Sequence, residues 1–422
     1  MAREMKDSGI EWIDEIPANW KVMPHKYIMH KQKDICEHYN GEDIISLTMG
    51  GVIVRDLTAG GKMPTTFDGY QYVEPEDLLM CLFDIDVTPR CVGVVRNYGL
   101  TSPAYSRFKV HNGYYNCYYD YLLRFIDDEK VFIHLSKNLR SSLTETDFGA
   151  IKTIVPPYEE QKRIADFLDR KCAEIDTVIE KTKATIEEYK KLKQSIITDA
   201  VTKGVRGDRP MKDSGIEWIG DIPADWEICK IKNKFSVFSG ATPKSEHQEL
   251  WDGNIVWITP ADYKTTDKYV ISGKRTISEE GYNSCGTTLV PENSIIFSKR
   301  APIGSVAISK NELCTNQGCL SCVSKGNANV LYYYYVMSAF TEIFELFGSG
   351  TTFKEISFDA FSSFYIPNPD IKEQEEIADF LDRKCAEIDK LIADKTHLLE
   401  EMESYKKSVI YEYVTGKKEV VL

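Results

Sequence analysis

Cys319 and Cys322 form the one C-x-x-C pair in the chain, half of a tetrahedral zinc site if a second ligand pair stood at similar spacing. None does, so buried or idle thiols are expected. His25, His30, His38, His111, His134, His247 and His397 are scattered, with no H-E-x-x-H and no serine elbow beside them. Neither a G-x-x-x-x-G-K-[ST] phosphate loop nor a dinucleotide G-x-G-x-x-G between strand and helix occurs. Asn368-Pro369-Asp370 lacks the aromatic residue of the Asn-Pro-Pro-aromatic loop of amino-methyltransferases and is expected to be the turn before a helix. Tyrosines cluster from Tyr118 to Tyr121 and from Tyr332 to Tyr335, where they could stack on bases, although packing in a helix core is the commoner use. The chain alone is not expected to be an enzyme.

These residues sit in a chain of 422, ample for two or three domains. Its 42% hydrophobic and 28% charged content is that of a globular protein. Lys plus Arg number 52 against 65 Asp plus Glu, a net charge of -13, so no diffuse basic field draws the chain to nucleic acid or anionic lipid. No run reaches the roughly 18 apolar residues of a membrane span. Eleven cysteines and an N-terminus, MAREMKDSGIEWI, without a secretory pattern point to reduced thiols and a cytoplasmic location.

Internal repetition organises the sequence. MKDSGIEWI at 5–13 recurs unchanged at 211–219, continuing through IPANW and IPADW to Trp20 and Trp226. IADFLDRKCAEID at 164–176 recurs unchanged at 377–389. Between these frames, residues 21–155 and 227–366 share almost no identity. Simple drift would erode frames and inserts alike. Constant frames around variable inserts fit a pair in which each frame meets the same partner, or its own copy, while each insert meets a different target.

After Pro156 and Pro157, apolar residues fall at Ile164, Leu168, Cys172, Ile175, Ile179, Ile186, Tyr189, Leu192 and Ile196, one helical stripe that runs to a stop at Gly204. Ile377, Leu381, Cys385, Ile388, Ile392, Leu399, Met402, Tyr405 and Val409 repeat it. Two such helices are expected to pair as an antiparallel coiled coil with a pseudo-two-fold relation. The alternative buries each stripe against its own insert. The inserts read as mixed α and β. EDIISLT, EDLLMCLF and CVGVVRN in the first, and GNIVWIT, NSIIFSK and IGSVAIS in the second, are strand-like, while YYNCYYDYLLRFI and VLYYYYVMSAFTEIFELF are helix-like. The expected organisation is a mixed α/β (α+β) tandem repeat: a domain over 1–156, a long helix over 157–204, a second domain over 205–370 and a second long helix over 371–422.

MKDSGIEWI with IPANW or IPADW, and P-x-x-E-Q-x-x-I-A-x-F-L at the first helix head, repeated at the second from E-Q onward, resemble the specificity (S) subunits of type I restriction-modification systems. Ser239-Gly240-Ala241-Thr242-Pro243-Lys244, the Trp251 to Trp257 stretch, Ser298-Lys299-Arg300-Ala301-Pro302-Ile303-Gly304, Asn316-Gln317-Gly318 and Gly348-Ser349-Gly350 are similar to that family's target-recognition pattern. The first insert departs from it, with Thr101-Ser102-Pro103-Ala104-Tyr105 in place of the Asn-Gln-Gly element. The resemblance implies a non-catalytic DNA-binding subunit without a cofactor of its own, whose two domains read the halves of a bipartite duplex target. It also implies two docked methyltransferase subunits using S-adenosylmethionine, and motor-nuclease subunits using ATP and Mg. A coiled-coil scaffold that binds proteins rather than DNA is the alternative.

Both inserts are near neutral: 15 Lys plus Arg against 17 Asp plus Glu over 17–155, and 13 against 16 over 223–370. DNA binding would then rest on local cations and on partners that wrap the duplex, with Arg, Lys, Asn or Gln reaching base edges. The candidates are Arg90, Arg96, Tyr105, Arg107 and Arg140 in the first insert. In the second they are Lys244, Lys299, Arg300, Asn316, Gln317 and Lys354.

Overall fold

The computed structural model describes residues 3–58, 64–88, 90–136, 141–264, 267–300, 302–349 and 354–420. The chain falls into two compact units, one of residues 1–183 with 397–422, the other of 184–396. Two helices, Tyr158–Lys203 and Ile371–Val414, are by far the longest elements. Their interiors lack Gly and Pro, and Glu or Lys on the outer faces keeps them soluble. Asp370 caps the second helix, its carboxylate accepting the Lys372 and Glu373 N–H groups at 2.9 and 3.0 Å. The Asn-Pro-Asp tripeptide is thus the helix entry. Gly204 ends the first helix at φ +75, and its N–H donates to Ala200.

In the first unit the start of one helix pairs antiparallel with the end of the other. Phe167 packs on Tyr413, and nine residues further along the first helix Asp176 meets Lys406. In the second unit Lys193 meets Asp389 and Arg206 meets Glu376. The predicted stripe is buried from Ile164 to Ile186 and from Ile377 to Ile388. Farther on it departs from the reading: Leu192 is 49% exposed and Tyr405 46%, whereas Ile197, Ala200 and Val201, and Ile410 and Val414, are buried; Val409 is buried as expected. A straight helix drifts about 20° per heptad against a strict seven-residue repeat, which carries the buried face off the predicted line. The two readings of the stripe also prove compatible. Ile164, Leu168 and Cys172 join the first domain's core, and Ile377, Leu381 and Cys385 the second's.

The two inserts share a topology that their sequences hide. In the first, strands Met29–Gln32, Ser106–Val110, Leu78–Met80 and Val92–Val94 lie side by side in that order, all antiparallel. In the second, Phe235–Ser239, Cys319–Ser324, Ile295–Ser298 and Val306–Ser309 do the same, with Tyr269–Val270 added at the edge. Each domain has a second small sheet built on a parallel pair, Ile44–Thr48 with Gly99–Thr101 and Trp251–Ile258 with Cys314–Thr315. All six strand-like runs and both helix-like runs of the sequence are present, the second helix-like run as Val330–Ala339 followed by Thr341–Phe347. The tyrosines are core: Tyr118, Tyr119, Tyr332 and Tyr333 are fully buried. Cys319 and Cys322 are also buried, but three residues apart on a strand they face opposite sides, into separate hydrophobic clusters, and cannot share a metal.

Candidate nucleic-acid interface

In the second domain the candidates converge. Gly240 lies against the 315–318 loop so closely that a Cβ would stand 2.2 Å from the Thr315 carbonyl oxygen and 2.3 Å from that of Asn316, so only glycine fits. Ala241 N–H donates to Thr315, and the Thr242 hydroxyl donates to Gln317 Oε1. The Asn316 side chain is turned inward, accepting Gly318 N–H at 2.9 Å, while Gln317 is exposed. Lys299 N–H donates to Gly318, which ties this loop to Lys299 and Arg300. Both cations meet one carboxylate: Lys299 at 2.9 Å and Arg300 at 2.6 Å from Glu355. Burial would raise the Glu355 pKa, but the hydrogen bonds from Arg300 and Lys299 overcome it and hold the carboxyl below its usual range. Lys244 and Lys354 are exposed at the edge of the cluster. Of its quoted motifs, Ala301 and Gly350 lie outside the described residues.

Both tryptophans of the Trp251 to Trp257 stretch hold the 240–244 loop, and Arg275, which the sequence reading passed over, covers one of them. Trp257 Nε1 donates to the Ala241 carbonyl at 3.0 Å and Trp251 Nε1 to that of Lys244 at 3.2 Å. The two indoles pack edge to face, and the Arg275 guanidinium lies 3.6 Å over the Trp251 ring. The tryptophan pair itself was visible in the sequence. Its loop-bracing role was not, because nothing local shows which carbonyl an indole will meet.

The first domain disperses its candidates. Arg107 is 1% exposed, its Nε 2.5 Å from Asp77, with Glu74 at 3.2 Å, and so is a core ion pair without surface to present. Arg90 pairs with Asp128 at 3.3 Å. Arg96 is exposed near Cys117. Tyr105 is half-buried on the loop between Gly99–Thr101 and Ser106–Val110, the topological counterpart of the Asn316-Gln317-Gly318 loop; Gln71 Nε2 holds that loop through the Ser102 and Tyr105 carbonyls. Burial raises the Tyr105 phenol, and the Cys81 thiol beside it adds to the effect. Arg140 lies outside the described residues.

The constant frames prove to be locks. In the first unit Trp20 Nε1 donates to Glu160 at 2.9 Å and Arg3 closes on the same carboxylate at 2.5 Å; in the second, Trp226 and Arg209 engage Glu373 at 3.0 and 2.5 Å. Gln161 Nε2 donates to Pro156 and its Oε1 accepts Tyr115 N–H, as Gln374 does with Pro369 and Asn329. The Glu-Gln pair at each helix head thus fastens helix, hairpin and insert together, which supplies an internal reason for its constancy.

Residues 223–401 match the model of the type I restriction modification DNA specificity domain. Over those residues the chain carries a type I restriction-modification specificity domain. It is similar to the MjaIX specificity subunit of Methanocaldococcus jannaschii, 37% identical over 39% of this chain and 38% of that one. With the putative MjaX specificity subunit of the same organism it is 29% identical over 70% of this chain and 67% of the relative. A chain solved in work on assembly and conformational transition of the type I R-M system shares the fold at TM-score 0.74 and 13% identity, over 96% of this chain and 99% of that one. No described helix is long and apolar enough to cross a membrane.

Proposed function

We propose that this chain is the DNA-recognition subunit of a type I restriction-modification complex, each domain reading one half of a bipartite duplex target. The observation that carries the reading is the pair of domains with one topology and unlike loops: the same platform is presented twice with different chemistry at its connections. The family match and the clustered Gly240, Lys299, Arg300 and Gln317 support it. Chemistry belongs to partners in this reading. Two methyltransferase subunits bring S-adenosylmethionine, motor-nuclease subunits bring ATP and Mg, and the complex works in the cytoplasm. The identical blocks 164–176 and 377–389 support two equivalent docking places, and helices of 46 and 44 residues, about 69 and 66 Å at 1.5 Å per residue, support their use as a spacer between half-sites.

The test is to co-express the chain with its cognate methyltransferase and map methylated bases in the host DNA. A two-part motif with a fixed gap is expected, methylated only when both proteins are present. DNA without such a motif, from cells holding an intact complex, would favour the protein-binding scaffold instead.

A further inference from the structure

Val87 is 74% exposed, beyond almost every other large apolar side chain among the described residues. It stands at the tip of the connection between strands Leu78–Met80 and Val92–Val94. The counterpart connection in the second domain, between Ile295–Ser298 and Val306–Ser309, carries Lys299 and Arg300. In each domain this connection adjoins the loop entering the central strand: Lys299 N–H reaches Gly318 in the second, and in the first the pairing of Ser106 with Met80 sets Cys81 next to Tyr105.

The tip is built rather than slack. Ile85, 2% exposed, is plugged into the core, and its N–H donates to the Ser141 carbonyl. Asp84 takes the left-handed conformation, φ 47, which Asp tolerates better than most residues, and its carbonyl accepts Val87 N–H, Thr88 N–H and the Thr88 hydroxyl at 3.1, 3.0 and 2.8 Å. Cys81 N–H donates to the Cys91 carbonyl and closes the base. A valine held rigidly in water gains nothing for the fold.

We infer that Val87 is a specificity-determining residue of the first domain, contacting the 5-methyl group of a thymine in the major groove of the first half-site. The inference rests on the DNA-recognition reading proposed above. Valine carries neither donor nor acceptor, and the thymine methyl is the one apolar feature that an unmodified base edge offers in that groove. Arg90, further along the same connection, is paired with Asp128.

The experiment uses the methyltransferase complex of wild type and Val87→Ala, with the target duplex carrying deoxyuridine in place of each thymine of the mapped first half-site in turn. Uridine differs only by the missing methyl. One position should lower wild-type methylation roughly fourfold, the scale of one buried methyl group, and should have no further effect on Val87→Ala, which is itself lowered to a similar degree on the thymine target. Second half-site discrimination should be unaltered, and circular dichroism melts of the two proteins should coincide. Equal sensitivity of both proteins to every uridine, or a first half-site without thymine, overturns the assignment while leaving the recognition reading in place. A wild-type complex with no bipartite motif overturns both.

Discussion

Lys406 Nζ donates to both carboxylate oxygens of Asp176, at 2.6 and 2.7 Å, and the repeat places the same pair elsewhere with the helices exchanged: Lys193 donates to Asp389 at 2.7 and 2.6 Å. Residues 213 apart swap partners, the reciprocity of an isologous interface written within one chain. The tyrosines repeat it, Tyr118 donating to the Val414 carbonyl and Tyr332 to that of Val201.

These ion pairs are half-exposed and should specify register more than they stabilise. A double-mutant cycle of Asp176→Asn and Lys406→Met, read by urea unfolding, is expected to give a coupling energy of about 0.2–1 kcal/mol, falling with added salt. A coupling of several kcal/mol would mean that the charges, rather than the buried Ile164 to Ile179 stripe, hold this helix pair.

Acid should weaken the first domain through His25. Its ring is fully buried, donates from Nδ1 to the Phe148 carbonyl at 3.3 Å and stacks on Phe148; burial pushes its pKa from 6.5 down to about 4, against the opposing effect of that carbonyl. The folded state therefore prefers the neutral ring, while the unfolded chain takes a proton near pH 6.5. Stability contributed by the neutral ring is complete above that value and is lost as pH falls towards 4. Between pH 7 and 5 the loss from this group is roughly 2 kcal/mol. Urea titrations at the two pH values should show it, and His25→Gln should flatten the slope by about that amount.

Much of the fold was written in the sequence because its signals are local or repeated. The helical stripes need only three- and four-residue spacing, and the duplication needs only identity. The shared topology of the inserts was invisible because strand order is set by pairing between distant segments, such as Ser106 to Met80 and Cys319 to Ser298. Arg107 shows the same limit at a site. An arginine on a strand looks like a surface cation until Asp77, thirty residues earlier, is found against it in the core. Gln317 and Lys299 were legible as candidates, whereas the Glu355 that neutralises Lys299 and Arg300 was not.

The glycine and tryptophan beneath the second cluster should govern the second half-site alone. Gly240→Ala forces a Cβ into the Thr315 and Asn316 carbonyls, and with backbone on both sides the loop must move. A cost of about 1–3 kcal/mol is expected, read as at least a fivefold fall in methylation of the cognate target. Trp257→Phe removes the donor to Ala241 and should give a smaller loss, about 1 kcal/mol. With either variant, point changes in the second half-site should be tolerated better than by wild type, and discrimination in the first half-site should be unchanged.

The inserts should be exchangeable, and the structure shows where to cut. Strand Glu227–Lys230 pairs antiparallel with Tyr365–Asn368, and Ile231 N–H donates to the Phe364 carbonyl. Both ends of the second insert therefore leave and return at one two-stranded ladder at its base, which Lys21–Pro24 and Lys152–Val155 repeat under the first. A graft of residues 231–364 from a family member disturbs neither that ladder nor the Trp226 and Arg209 lock on Glu373. Its own core can close beneath it, provided that the donor keeps an aromatic at Tyr332, whose hydroxyl reaches the Val201 carbonyl. Mapping methylated bases with the hybrid should show a motif in which one half is that of the donor and the other is unchanged. A change in both halves would show that the two domains read the duplex jointly, and would remove the reason for placing one half-site on each platform.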